Sequence, residues 1–135
     1  MSCADGSGAE QRPEGATVLL VEDDARVRAI ATAMLGKLGY RVVCAIDGLN
    51  ALAILESDQP IDLLFTDYVL PKGLNGADLA ERARALRPGL GVLHTSGYTE
   101  RKLASDGRLS DADAFIAKPY ALAALERELR KRLDR

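Results

Sequence analysis

Five side chains in this sequence could do chemistry together: Glu22, Asp23, Asp67, Ser96 and Lys118. The segment "LLFTDYVLP", residues 63–71, runs apolar residues straight into the carboxylate of Asp67 and resumes with Val69 and Leu70. A buried, unpaired carboxylate is expensive. Asp67 therefore either caps a neighbouring element or stands where something needs it. Upstream, "TVLLVEDD" ends its own apolar run in Glu22 and Asp23. Downstream, "HTS" closes on Ser96 and "AKPY" carries Lys118. Carboxylates within about 4–6 Å shift one another's pKa unless a cation relieves them. Mg²⁺ suits such a site, because it takes oxygen ligands from one or two carboxylates, waters and a phosphate. Lys118 would supply a point charge to the other side of a phosphoryl group, and Ser96 a hydrogen bond. Brought together, the set suits a phosphoryl group on or beside Asp67, with Mg²⁺ bridging it.

The elements around these residues are what would bring them together. Val18–Val21 read as a short buried strand ending at Glu22 or Asp23. Val27, Ile30, Ala31, Met34, Leu35 and Leu38 then recur at helical spacing, with Gly39 where a C-cap glycine belongs. "RVVCAI" reads as a second strand, and "DGLNALAILES" as a second helix with Asp47 as N-cap. "IDLLFTD" is a third strand, and "LNGADLAERARALRP" a third helix ended by Pro88. "LGVLHTS" is a fourth strand, "GYTERKLASDG" holds a short and poorly periodic helix, "ADAFIAK" is a fifth strand, and "ALAALERELRKRL" is a last amphipathic helix. Strand and helix alternate five times, which predicts a parallel sheet with helices on both faces. In such sheets ligands bind beyond the carboxyl ends of the strands. Those are the ends at which the five side chains fall.

"VLLVEDD", "FTDYVLP", "HTSGY" and "AKPY", in this order and spacing, resemble the receiver domain of two-component response regulators, CheY-like, from Thr17 to about Leu133. The loop "PKGLNGADL" is similar to loops of receivers attached to hybrid histidine kinases. The resemblance implies a flavodoxin-like (βα)5 three-layer sandwich with strand order 2-1-3-4-5. It implies that Asp67 takes a phosphoryl group from a partner's phosphohistidine. Glu22 and Asp23 would then hold Mg²⁺, which Mn²⁺ could replace, with Asp67 and the backbone carbonyl of Val69. Ser96 would be the switch hydroxyl, in preference to Thr95. Lys118 would be the phosphoryl-binding lysine, before a cis peptide at Pro119. Phe115 would be the aromatic switch residue, without the phenol of the usual tyrosine. The only catalysis implied is self-phosphorylation from phosphohistidine or small donors, and self-dephosphorylation.

Composition bounds the alternatives. At 135 residues, 47% of them apolar, the chain fits one domain with one core. A formal charge of −2 argues against a nucleic-acid binder. No apolar run is long enough for a membrane span, and residues 1–16 read as a flexible leader to a domain over 17–135. Cys3 and Cys44 form no metal spacing or disulfide framework, and Cys44 reads as a small core residue in a reducing cytoplasm. An aspartyl phosphatase would commonly carry a second aspartate where Val69 stands. A flavin carrier would need a phosphate loop where "EDDARVR" is acidic. A degenerate docking receiver would not need the complete acidic set. Asp24 reads as the N-cap of the first helix, His94 as pointing away from the site, and "RELRKR" as a solvated face. The partner expected is a histidine kinase or histidine phosphotransfer protein, with a further output partner of unknown identity. The chain itself is expected as a monomer or weak homodimer.

Overall fold

The structure is a computed structural model that describes residues 15–70, 74–96 and 114–133. Its strands are β1 (Thr17–Val21), β2 (Arg41–Ala45), β3 (Leu63–Asp67), β4 (Gly91–Ser96) and β5 (Ala114–Ala117). All neighbours are parallel, in the order β2-β1-β3-β4-β5. The four described helices are α1 (Ala25–Lys37), α2 (Gly48–Leu55), α3 (Gly76–Leu86) and α4 (Leu122–Leu133). The helix expected within residues 97–107 lies outside the described residues, as do the leader up to residue 14 and Tyr98.

Side chains alternate across each strand, and the core divides accordingly. Leu19, Val21, Val43, Ala45, Leu64 and Val92 pack on one face with Leu52 and Leu55 of α2 and Leu79, Ala80 and Ala83 of α3. Val18, Leu20, Val42, Leu63, Phe65 and Leu93 pack on the other with Ala31 and Leu35 of α1 and Leu125 and Leu129 of α4. Each fully buried leucine contributes roughly 1.5–3 kcal/mol. Burial on both faces is why the strands read as continuous apolar runs rather than alternating ones. Cys44 is buried in the second cluster. Its sulfur is disulfide-bonded, which departs from the expectation of no disulfide.

The helix ends follow local chemistry. Asp24 Oδ1 accepts from the backbone N–H groups of Arg26 and Val27 at 2.9 and 3.1 Å, and Asp47 Oδ1 from that of Asn50 at 2.8 Å. Both caps satisfy helix-end donors that would otherwise lack partners. Gly39 takes a positive φ of 96° just after α1, as a C′ glycine does. Asn75 Oδ1 caps α3 by accepting from Asp78 N at 2.9 Å. Ile30 departs from expectation: it is 63% exposed. It lies about 100° around α1 from Ala31, at the margin of the buried stripe.

Candidate phosphoryl and metal site at the carboxyl edge of the sheet

Parallel strands deliver their last residues to one edge, and the site assembles there. Glu22 follows β1, Asp67 closes β3, Ser96 closes β4 and Lys118 follows β5. Glu22 is 3% exposed and Asp67 7%, whereas Asp23 is exposed. One carboxylate oxygen from each of the three lies within 4.8 Å of the others. Lys118 Nζ donates to Asp67 Oδ2 at 3.2 Å and lies 3.6 Å from Glu22 Oε1. The Lys118–Pro119 peptide is cis, as expected. Val69, two residues past Asp67, is 47% exposed beside this edge. Glu22, Asp23, Asp67 and Lys118 are thus brought together, and Ser96 ends the strand that separates β3 from β5.

Burial, reinforced by like charge, governs the ionisation of the site. Burial pushes Glu22 up to about 6; the nearby Asp67 carboxylate adds to this, while the Asp24 backbone N–H and Lys118 oppose it. Burial also pushes the Tyr120 phenol up to about 12, with the charges of Glu22 and Asp67 adding to the effect. Among the described residues, three clustered carboxylates, two of them facing the Lys118 ammonium, leave an excess of negative charge in a partly dry site. That donor set, all hard oxygen, fits Mg²⁺, and Glu22, Asp23 and Asp67 are the side chains that would hold it.

Several supporting residues were not foreseen from sequence. Arg28, one turn into α1, donates Nη1 to the Glu22 carbonyl at 2.9 Å and ties that helix to the end of β1. Gly76 donates its backbone N–H to the Tyr68 carbonyl at 2.7 Å. A Cβ there would lie 2.7 Å from the Asp67 carbonyl oxygen and 2.8 Å from Tyr68 Cα, so only glycine allows the start of α3 this close to the end of β3. The "NG" dipeptide was the available signal, but a cap and a close approach look alike in sequence. On the opposite face, His94 stacks on Phe115 with centroids 5.2 Å apart, and Tyr68 meets His94 edge-on at 5.8 Å. His94 thus packs away from the carboxylates, as expected.

This edge, on this strand order, defines a class. The chain belongs to the response regulator receiver domain family, whose model matches residues 18–130. It is 33% identical over 116 residues to the response regulator receiver protein CpdR of Brucella abortus, covering 86% of this chain and 95% of that protein. It is 32% identical to the sensor kinase CckA of the same organism, covering 89% of this chain but 13% of that protein. Among solved structures, a response regulator receiver protein from Sinorhizobium medicae superposes with a TM-score of 0.80 at 26% identity, over 91% of this chain and 98% of that one. The receiver domain of the hybrid histidine kinase CckA superposes with a TM-score of 0.71 at 30% identity, over 87% of this chain and 98% of that one. The CheY-like, flavodoxin-like fold expected from sequence is the fold found.

Proposed function

We propose that this chain is a phosphoacceptor switch in which Asp67 takes a phosphoryl group from a partner's phosphohistidine. The observation that carries this reading is the burial of Asp67 among Glu22, Asp23 and Lys118. An ionised carboxylate oxygen of Asp67 attacks phosphorus. The P–O bond forms as the P–N bond breaks, and the electron pair returns to the imidazole ring. Lys118 favours the ionised form of Asp67 and faces the developing charge. Ser96, at the end of β4, would hydrogen-bond a phosphoryl oxygen. Mg²⁺, held by Glu22, Asp23, Asp67 and the Val69 carbonyl, would neutralise charge on the phosphoryl oxygens. The partner is then a histidine kinase or histidine phosphotransfer protein, and the reaction is a cytoplasmic one. The added charge, about −1.5 to −2 by analogy with phosphoserine, biases the β4–β5 edge and so changes which partners bind.

A second reading, a receiver that relays phosphate onward within a hybrid kinase system, draws support from the likeness to the CckA receiver. Both readings share the first test, which is intact mass after incubation with acetyl phosphate, with and without Mg²⁺. A single phosphoryl adduct is expected that needs Mg²⁺ and is lost in Asp67→Ala. An adduct that persists in Asp67→Ala would mean that another residue is the nucleophile. Transfer from the loaded domain to a histidine phosphotransfer protein would favour the relay.

A further inference from the structure

Thr95 is a polar residue with an apolar residue's surroundings. It is 4% exposed, and its hydroxyl has no hydrogen-bond partner among the described residues. A buried hydroxyl left without a partner is unfavourable, and a valine of the same shape would remove the defect. Its place in the sheet is specific. Thr95 is in register with Asp67 on β3 and with Ile116 on β5. It shares its face of β4 with Leu93, which packs in one cluster with Phe65 and Ile116, the residues two before Asp67 and two before Lys118. The strand order sets β4 between β3 and β5. To reach Asp67 Oδ2 at 3.2 Å, Lys118 must therefore cross two strand spacings, about 9–10 Å, over the end of β4. Thr95 stands on the strand that Lys118 crosses, one residue before its end.

We infer that Thr95 is a positioning residue for Lys118: once a phosphoryl group on Asp67 draws the ammonium off Oδ2, the Thr95 hydroxyl accepts a hydrogen bond from Nζ and holds it toward the phosphoryl oxygens. The inference rests on the phosphoacceptor reading. Among the described residues the hydroxyl then has no partner until phosphorylation brings one.

The test compares the full chain with Thr95→Val and Thr95→Ser. It measures urea unfolding of the unphosphorylated proteins and the rate of adduct formation from acetyl phosphate at saturating Mg²⁺. Thr95→Val is expected to raise the urea midpoint and to slow adduct formation by roughly threefold to tenfold, the weight of one hydrogen bond. The donor concentration for half-maximal rate stays unchanged, and Thr95→Ser keeps the wild-type rate. A Thr95→Val protein that is stabilised and phosphorylated at the wild-type rate would overturn the inference and leave the phosphoacceptor reading standing. Slowing in Thr95→Val that Thr95→Ser shares would overturn it too, since shape rather than the hydroxyl would then matter. Wild-type protein that takes up no phosphoryl group would remove the reading beneath it.

Discussion

At the scale of single residues, two buried ionisable groups pull stability in opposite directions with pH. His94 is fully buried, and burial together with the Arg84 charge lowers its pKa to about 4. Unfolded chains bind that proton from about pH 6.5 downward, and the native state resists it until about 4. Stability from this group is present above 6.5 and is lost as pH falls through 4, a loss of about 3 kcal/mol when complete. Glu22 has the opposite sign. Its pKa is raised to about 6, so the cost of ionising it is absent below about 4.5 and felt in full above 6, at about 2 kcal/mol. Comparing variants separates the two. The stability of His94→Met relative to wild type should improve by about 2–3 kcal/mol between pH 7.5 and 4.5, measured by urea unfolding, because only in wild type does unfolding release an imidazole that takes up a proton. Glu22→Gln should stabilise the metal-free domain by about 1–2 kcal/mol at pH 7 and by nothing below pH 4.5. The Asp24 N–H can still donate to the amide oxygen, as it does to Glu22 Oε2 at 3.1 Å. An equal effect of Glu22→Gln at both pH values would mean that burial of charge is not the cause.

At the scale of elements, most of the fold could be read in the sequence, because the strands end abruptly in polar residues and the helices begin at caps. Asp24 and Asp47 were legible as caps because their chemistry is local. The acidic residues at the strand ends were legible because a parallel sheet sends all carboxyl ends to one edge. Contacts between elements were less legible. The exposure of Ile30, the grip of Arg28 on the carbonyl that follows β1 and the approach of Gly76 to β3 each depend on helix placement rather than on spacing along the chain. Two glycines separate propensity from packing. Gly36 lies inside α1, and a Cβ added there would meet nothing within 4 Å, so Gly36→Ala should stabilise the domain by about 0.5–1 kcal/mol. Gly76→Ala gains the same propensity but drives a methyl into the Asp67–Tyr68 backbone, which cannot rotate aside. It should lose about 1–3 kcal/mol net and slow adduct formation on Asp67. Thermal unfolding of the two variants checks the opposite signs, and equal stabilisation would show that the start of α3 can retreat freely.

At the scale of the whole molecule, the sheet is held by two well-packed faces while its functional edge opposes it. Among the described residues, three carboxylates cluster within 4.8 Å and two of them, Glu22 and Asp67, share the Lys118 ammonium, so folding concentrates negative charge that the unfolded chain spreads out. A divalent ion that binds only the folded state should then stabilise the entire domain, by about 2.7 kcal/mol at a hundred times its Kd. For a domain of this size that amounts to a Tm rise on the order of 10 °C. Two variants apportion the effect. Asp23 is exposed and adds little to the metal-free fold, so Asp23→Ala should leave the Tm without Mg²⁺ nearly unchanged and lose most of the rise. Lys118→Met removes the cation facing two buried carboxylates, so it should lower the metal-free Tm at pH 7. It should then respond to Mg²⁺ at least as strongly as wild type, because the ion replaces the missing charge. A Lys118→Met protein with a wild-type Tm and no larger response would mean that the ammonium does not balance this edge, and that the stability of the fold and the charge of the site are independent.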